Sequence, residues 1–167
     1  LASMLRIMRT LGKTGKSTLI ARINWAYEPG QQKKIDIWWG GLQNNGDMML
    51  LFAYLLRLNP EWKDARIMVR SIVPNEEERA RMEASLAELI PEARIHADTE
   101  VILRPSGQSV SDIIKSCSGN ADVTFLGLTD PEPGTEQGYA DHLFRLAEGL
   151  RTTIFVRNSG RFAGRLI

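Results

Sequence analysis

The chain has 167 residues and nearly balanced charge, with 21 Lys and Arg against 20 Asp and Glu and a formal net charge of +1. This length fits one domain with a hydrophobic core, and the charge balance argues against a nucleic-acid groove, which needs a concentrated basic surplus. The single cysteine, Cys117, excludes an internal disulfide and favours a reducing, cytoplasmic setting. The apolar run over residues 48–56 stops at nine, well short of the roughly 20 residues of a membrane helix.

The N-terminal segment is predicted to be an amphipathic helix. Apolar residues recur at helical spacing through residues 1–11, while Arg6 and Arg9 fall on the other side. Such a helix needs a partner to cover its apolar face. We therefore divide the chain into residues 1–12, an N-terminal helix or linker, and residues 13–167, a single α/β domain. Because the chain begins at Leu1 rather than Met, we expect it to be a fragment of a longer protein.

A basic turn follows that resembles part of a phosphate-binding loop. Its residues of interest are Lys13, Gly15, Lys16, Ser17 and Thr18. A phosphate-binding loop requires Gly-x-x-x-x-Gly-Lys-Ser/Thr between a buried strand and a helix. Here Thr10 replaces the first glycine, the preceding segment predicts a helix, and the following one predicts a strand. We interpret the segment as a basic turn and keep a nucleotide-sensing or hydrolysing module as the alternative function.

Two β-rich segments, residues 18–25 and 34–39, are separated by a turn that contains Pro29 and Gly30. Two strands joined by a short turn of this kind predict an antiparallel hairpin near the N-terminus. After Pro60, residues 66–73 predict a further strand, which we expect to lie parallel to residues 35–39 through a crossover.

The second of these strands runs into a turn and a strongly apolar helix. Trp38 and Trp39 suit a packed β surface, and Gly40 and Gly41 then break the run because glycine adopts backbone angles closed to other residues. The amide oxygen of Asn44 or Asn45 can cap the helix, followed by Gly46 and Asp47, whose carboxylate favours the positive helix end. Since residues 48–56 are apolar or aromatic on every face, this helix must be covered on most sides.

The remaining chain alternates helices and strands. The predicted helices cover residues 75–90, 109–117 and 139–150, and the predicted strands cover residues 99–103, 122–128 and 152–156. The continuous apolar run at 122–128 is typical of a central parallel strand. The pattern predicts an α/β fold: a mostly parallel twisted sheet with helices on both faces, similar to Rossmann and universal stress protein folds, with the one hairpin.

Candidate reactive residues are few. His96 and His142 fall away from the carboxyl ends of the strands, where such sheets bind ligands, and Cys117 falls on an apolar helix face. The loop at residues 128–134 carries acidic residues and two prolines, which disfavour a phosphate. A third hypothesis is an enzyme with an acid–base pair, which would draw on Asp130, Glu132 and Glu136. We predict no catalytic residues, no metal site and no cofactor.

The central motif carries a family resemblance. The run Asp36, Ile37, Trp38, Trp39, then Asn45, Gly46, Asp47 and the apolar helix, continued by Asn59, Pro60, Glu61, Trp62 and residues 65–70, resembles the C-terminal cytoplasmic domain of cation-chloride cotransporters. The prokaryotic members, relatives of the amino acid/polyamine/organocation permeases, are the most similar.

The resemblance implies a non-catalytic regulatory domain at the cytoplasmic face of the cell membrane. Its partners would be the membrane domain of the same polypeptide and a second subunit in a homodimer, and it would influence transport of chloride with sodium or potassium. The residues expected to hold the structural motif are Trp38, Trp39, Gly40, Gly41, Asn45, Gly46 and Asp47.

Overall fold

The computed structural model describes residues 1–27, 33–40, 45–92 and 95–160. The helices are α1 Ala2–Lys13, α2 Asn45–Arg57, α3 Glu76–Glu92, α4 Val110–Ser118 and α5 Glu136–Ala147, with one 3-10 turn at Pro60–Trp62. The strands are β1 Thr18–Ile23, β2 Lys34–Trp38, β3 Arg66–Val73, β4 Asp98–Leu103, β5 Val123–Gly127 and β6 Thr152–Arg157. This alternation confirms the predicted α/β fold.

The strands form one six-stranded sheet in the order β1-β6-β5-β2-β3-β4. Strands β2 to β6 run parallel to one another, and β1 pairs antiparallel with β6. The predicted parallel pairing of β2 with β3 is confirmed. The carboxyl ends of the parallel strands therefore meet at one end of the sheet, the carboxyl edge, and their amino ends meet at the other, the amino edge.

The predicted hairpin between β1 and β2 is wrong. Strand β1 pairs with β6 from Thr18 opposite Arg157 to Ile23 opposite Thr152, at the far end of the chain. The reason lies in β2, which is buried from Ile35 to Trp38 and therefore takes a central position. A strand has two hydrogen-bonding edges, and β5 and β3 occupy both edges of β2.

Helices cover the sheet on both faces, as the alternating pattern predicts. Helices α2 and α3 pack on one face, where Ile35, Ile37 and Phe125 belong to the core. Helices α1, α4 and α5 pack on the other face, around Trp38, Leu126 and Phe155. Of the described residues, none belongs to a helix that is both long and apolar enough to cross a bilayer.

Helix α2 is covered less completely than its composition predicts. Met48, Met49, Leu50 and Ala53 are buried against the sheet, but Tyr54 and Leu55, together with Leu58 just after the helix, are exposed. The inner side of the helix therefore packs against the sheet, whereas its outer side keeps an apolar surface that none of the described residues covers.

Candidate functional site

Trp38 anchors β2 to α4 through a chain of polar contacts. Its indole N–H donates to the Ser118 hydroxyl over 2.9 Å, and that hydroxyl donates to the Asp36 carboxylate over 2.6 Å. The Asp36 carboxylate lies 2.5 Å from Nη1 of Arg70, and the Glu100 carboxylate lies 2.7 Å from Nε of the same guanidinium group. Burial favours the neutral form of Arg70, but the two carboxylates outweigh it and raise the pKa of Arg70. The cluster places one guanidinium group between two carboxylates and ties β2 to β3, β4 and α4.

Trp39 and Gly46 form the tightest contact of the motif. A Cβ atom added to Gly46 would lie 2.1 to 2.5 Å from three carbons of the Trp39 indole ring. Only glycine therefore lets the first turn of α2 approach the ring this closely. The spacing of tryptophan and glycine in the sequence is thus explained by the packing of the end of β2 against the start of α2.

Asn45 joins the ends of two other strands. Its amide nitrogen donates to the carbonyl of Leu128 over 2.9 Å, and its amide oxygen accepts the backbone N–H of Asn158 over 2.7 Å. The sequence nominates Asn44 or Asn45 as a helix cap; Asn44 lies outside the described residues, and Asn45 is the first residue of α2. Its side chain therefore bonds to residues that follow β5 and β6.

The other motif residues contribute less. Gly40 is exposed, a Cβ there would meet nothing within 4 Å, and its φ is not positive, so its backbone does not require glycine. Gly41 lies outside the described residues. Asp47 lies in the first turn of α2, where a carboxylate faces the positive end of the helix dipole.

The carboxyl edge is where sheets of this kind bind ligands, next to the point where the strand order reverses. Here that point lies between β2 and β5. The buried Asn45 side chain fills the space beyond β5 and β6, and a Cβ on Gly127 would lie 3.0 Å from its amide nitrogen. A neighbouring recess of about 280 Å³ lies between Trp39, Pro74, Arg104 and Val110. Where the structure describes it, this edge is built from contacts between elements.

The structure places the basic turn between a helix and a strand. Lys13 is the last residue of α1, Gly15 has a φ of +70°, Lys16 is exposed and Thr18 begins β1. The Ser17 hydroxyl accepts the backbone N–H of Ser159 over 3.1 Å. The helix therefore precedes the turn and the strand follows it, the reverse of the order in a phosphate-binding loop.

Comparison with known proteins identifies the family. The family model described as solute carrier family 12 matches residues 6–115, which is most of the chain. The chain belongs to solute carrier family 12. Its fold is also similar to a solved structure titled "Crystal structure of the cytoplasmic domain of a prokaryotic cation chloride cotransporter", with a TM-score of 0.71 and 21% sequence identity. That match covers 98% of this chain and 60% of the other chain.

One contact of this solute carrier family 12 chain was missed by sequence reasoning. Arg9 on α1 donates to the buried carboxylate of Glu136 at the start of α5 over 2.8 Å, and Glu136 also accepts the backbone N–H of Gly134 over 2.9 Å. The bond from its own backbone N–H contributes most to lowering the pKa of Glu136; burial opposes it, and Arg9 and the Gly134 N–H add to the lowering. The two residues are 127 positions apart, so no local signal links them.

The acidic residues considered for catalysis do not converge. Asp130 pairs with Arg157 at 2.6 Å, Glu136 is held by Arg9, and Glu132 is exposed. Among the described ranges, no group of three or more His, Cys, Asp or Glu side chains is placed to hold a metal ion. His96 precedes β4 and His142 lies on α5, both away from the carboxyl edge.

Proposed function

We propose that this chain is a non-catalytic cytoplasmic regulatory and dimerisation domain of a cation-chloride cotransporter-like membrane transporter, joined to the membrane domain of the same polypeptide. The observation that carries the proposal is membership of solute carrier family 12, established over residues 6–115. That range includes α1 from Arg6 onward, Trp38 and Trp39 at the end of β2, and α2. Chloride, with sodium or potassium, is the cargo that the proposal assigns to the whole transporter.

The geometry supports a role in making contacts. Asn45 joins the ends of β5 and β6 while Trp39 packs on Gly46, so side chains of the chain itself connect the described elements at the carboxyl edge. A network of packed and hydrogen-bonded side chains can carry a displacement from one surface to another. That property suits a domain that couples a second subunit or a cytoplasmic signal to a membrane region.

The N-terminal helix offers a surface for the second subunit. Met4 and Ile7 on α1 are 54% and 58% exposed. With Leu19 of the edge strand β1 they line a recess of about 290 Å³. Exposed apolar side chains around a recess are typical of a protein–protein contact, and β1 also has one hydrogen-bonding edge without a partner strand among the described residues.

Two experiments test the proposal. Reading the gene around the coding region should reveal roughly a dozen apolar spans of about 20 residues. The full-length protein, reconstituted in vesicles, should take up chloride in a cation-dependent manner, and an Asn45→Ala variant that is inserted normally should take it up more slowly. A gene with no apolar spans, or full-length protein that carries no chloride, would refute the proposal.

A binding experiment distinguishes the nucleotide-sensing alternative from the proposed function. A ligand present at a hundred times its dissociation constant stabilises a folded protein by about 2.7 kcal/mol, which raises the melting temperature by several degrees for a domain of this size. Magnesium ATP is expected to leave the melting temperature unchanged. A shift that disappears in a Lys16→Ala variant would instead support a nucleotide site in the basic turn.

A further inference from the structure

Exposed apolar and aromatic side chains occur near the amino edge of the sheet, at and after the end of β1 and around the last turns of α2. They are Ile23, Trp25, Tyr27, Tyr54, Leu55 and Leu58, which we call the amino-edge patch. Trp25 is the extreme case, since 86% of its surface is exposed. A tryptophan left almost wholly in water is costly because its ring is the largest apolar group among the side chains.

The topology explains why these residues lie near the same edge of the sheet. Strand β1 is antiparallel to β6, so its last residue, Ile23, lies opposite Thr152 at the amino edge, with Trp25 and Tyr27 just beyond. Helix α2 starts at the carboxyl edge, where Asn45 contacts Leu128, and ends at the amino edge, where an Arg57 guanidinium nitrogen donates to the His96 carbonyl over 3.2 Å.

Ile23 and the α2 residues of the patch also lie on the same face of the sheet. On β1, Leu19 pairs with Val156 and Ala21 with Ile154, two residues that pack in the core under α2. Ile23 follows Leu19 and Ala21 with the alternation of a strand, so it points to the α2 face. Tyr54, Leu55 and Leu58 lie on the outer side of the last turns of that same helix.

Basic side chains lie over two aromatic rings, that of Tyr27 in the patch and that of the half-buried Trp62 outside it. The Lys33 ammonium group lies 5.4 Å from the centre of the Trp62 ring, and the Arg151 guanidinium lies 5.8 Å from the centre of the Tyr27 ring. Arg57 and Lys63 add two further cations. Among the described residues, the acidic groups beside these four cations are the exposed Glu61 and Asp64 and the buried Asp122, which pairs with Arg151, so positive charge exceeds negative charge by one.

We propose that the amino-edge patch rests on an anionic lipid surface. Tryptophan and tyrosine at a boundary, aliphatic side chains beside them, and lysine and arginine reaching for phosphate groups are the composition that binds the interfacial layer of a bilayer. A contact between proteins would instead be depleted in lysine. The inference goes beyond the proposed function because it assigns the edge of the sheet that faces the membrane.

The test uses co-sedimentation of the 167-residue chain with phosphatidylcholine vesicles that contain or lack phosphatidylserine. The chain is expected to bind the anionic vesicles, and less strongly as salt is added. Lys33→Glu with Lys63→Glu should weaken the binding roughly tenfold or more, since each basic residue near an anionic surface contributes several-fold. Trp25→Ala should weaken it as well, and circular dichroism should show both variants folded.

Matched controls lie on other surfaces. Lys13→Glu with Lys16→Glu makes the same charge change at the carboxyl edge, and Phe144→Ala removes an aromatic ring that is 51% exposed on α5. Both controls should bind the anionic vesicles like the original chain. If the control charge pair weakens binding as much as the test pair, or if Trp25→Ala binds normally, the assignment to this edge is wrong.

Two further results would also overturn the inference. The original chain could fail to bind anionic vesicles, or it could self-associate without lipid in a way that Trp25→Ala abolishes, which would make a second copy the occupant of the patch. Neither result bears on chloride uptake by the full-length protein, so the failure of this inference and the failure of the proposed function are distinguishable.

Discussion

At the scale of single residues, Gly46 has the least space for a side chain among the described glycines. Gly46→Ala would place a methyl group 2.1 to 2.5 Å from the Trp39 ring, so the ring or the helix must shift. Overpacking of this kind costs about 1 to 3 kcal/mol, and we expect urea denaturation to show a loss in that range.

Gly12 is the matched control for this prediction. A Cβ at Gly12 of α1 would meet nothing within 4 Å, and alanine is the better helix former by up to about 1 kcal/mol. Gly12→Ala is therefore expected to leave stability unchanged or slightly raised. Trp39→Ala combined with Gly46→Ala should cost less than the sum of the single changes; simple additivity would show that the ring and the glycine do not interact.

Asn45 supports a second prediction at this scale. Asn45→Ala deprives the Leu128 carbonyl of a donor and the Asn158 N–H of an acceptor in a buried place. Leaving buried polar groups without partners costs about 2 kcal/mol or more. Asn45→Asp is the sharper variant, because it keeps the shape and the acceptor but turns the donor into a second oxygen facing a carbonyl. Thermal unfolding should rank the original chain above both variants, and equal stability of all three would contradict the bridging role.

The sequence points to these residues without revealing what they contact. Trp39, Asn45 and Gly46 stand out because aromatic, amide and glycine residues mark the boundary between a strand and a helix. The partners of Asn45 lie 83 and 113 positions away. Hydrogen bonds of that separation depend on how the strands are ordered, and no local pattern encodes that order.

At the scale of elements, local patterns predicted the strands and helices but not all of their neighbours. The alternation of β1 and the burial of β2 are readable, yet pairing depends on which edges remain free after every strand is placed. The two edges of β2 are taken by β5 and β3. Strand β1 therefore joins β6, although a short turn after it favours a hairpin.

The contact between α1 and α5 leads to a prediction about pH. The pKa of Glu136 lies below its ordinary value of 4.5 in the folded chain, through its own backbone N–H first and through Arg9 and Gly134. Stability from this carboxylate is therefore present in full above pH 4.5 and is lost as the pH falls through the lowered pKa. Melting temperatures measured downward from neutral pH should fall less steeply for Glu136→Gln than for the original chain.

The control for this prediction is Glu132→Gln, which changes an exposed carboxylate in the same loop. Its melting temperature should follow the acid profile of the original chain. A Glu136→Gln profile parallel to that of the original chain would show that the contact with Arg9 does not contribute to acid sensitivity. Arg9→Gln should lower the stability near neutral pH more than at acidic pH, because its partner is charged only there.

At the scale of the whole molecule, the sequence pattern predicted the arrangement of the sheet better than it predicted which apolar side chains are exposed. The alternating elements and the central apolar strand required a mostly parallel sheet with helices on both faces, and the structure has that arrangement. The apolar outer side of α2 and the exposed residues of α1 could not be assigned in advance. From the sequence alone, an apolar residue that its own domain covers cannot be distinguished from one that another molecule covers.

The exposed side of α1 yields the last prediction, which concerns the second subunit. Met4, Ile7 and Leu19 surround a recess of about 290 Å³, so burial against a copy of the same surface would remove apolar area from water on both sides of a two-fold axis. Sedimentation velocity should show a dimer that Ile7→Glu dissociates, because a carboxylate buried there would lack a partner.

Phe144→Glu, at a similarly exposed position on α5, should leave the dimer intact. A chain that sediments as a monomer at every concentration tested would refute this surface as a dimer contact, and loss of the dimer in the Phe144 variant alone would move the contact to α5.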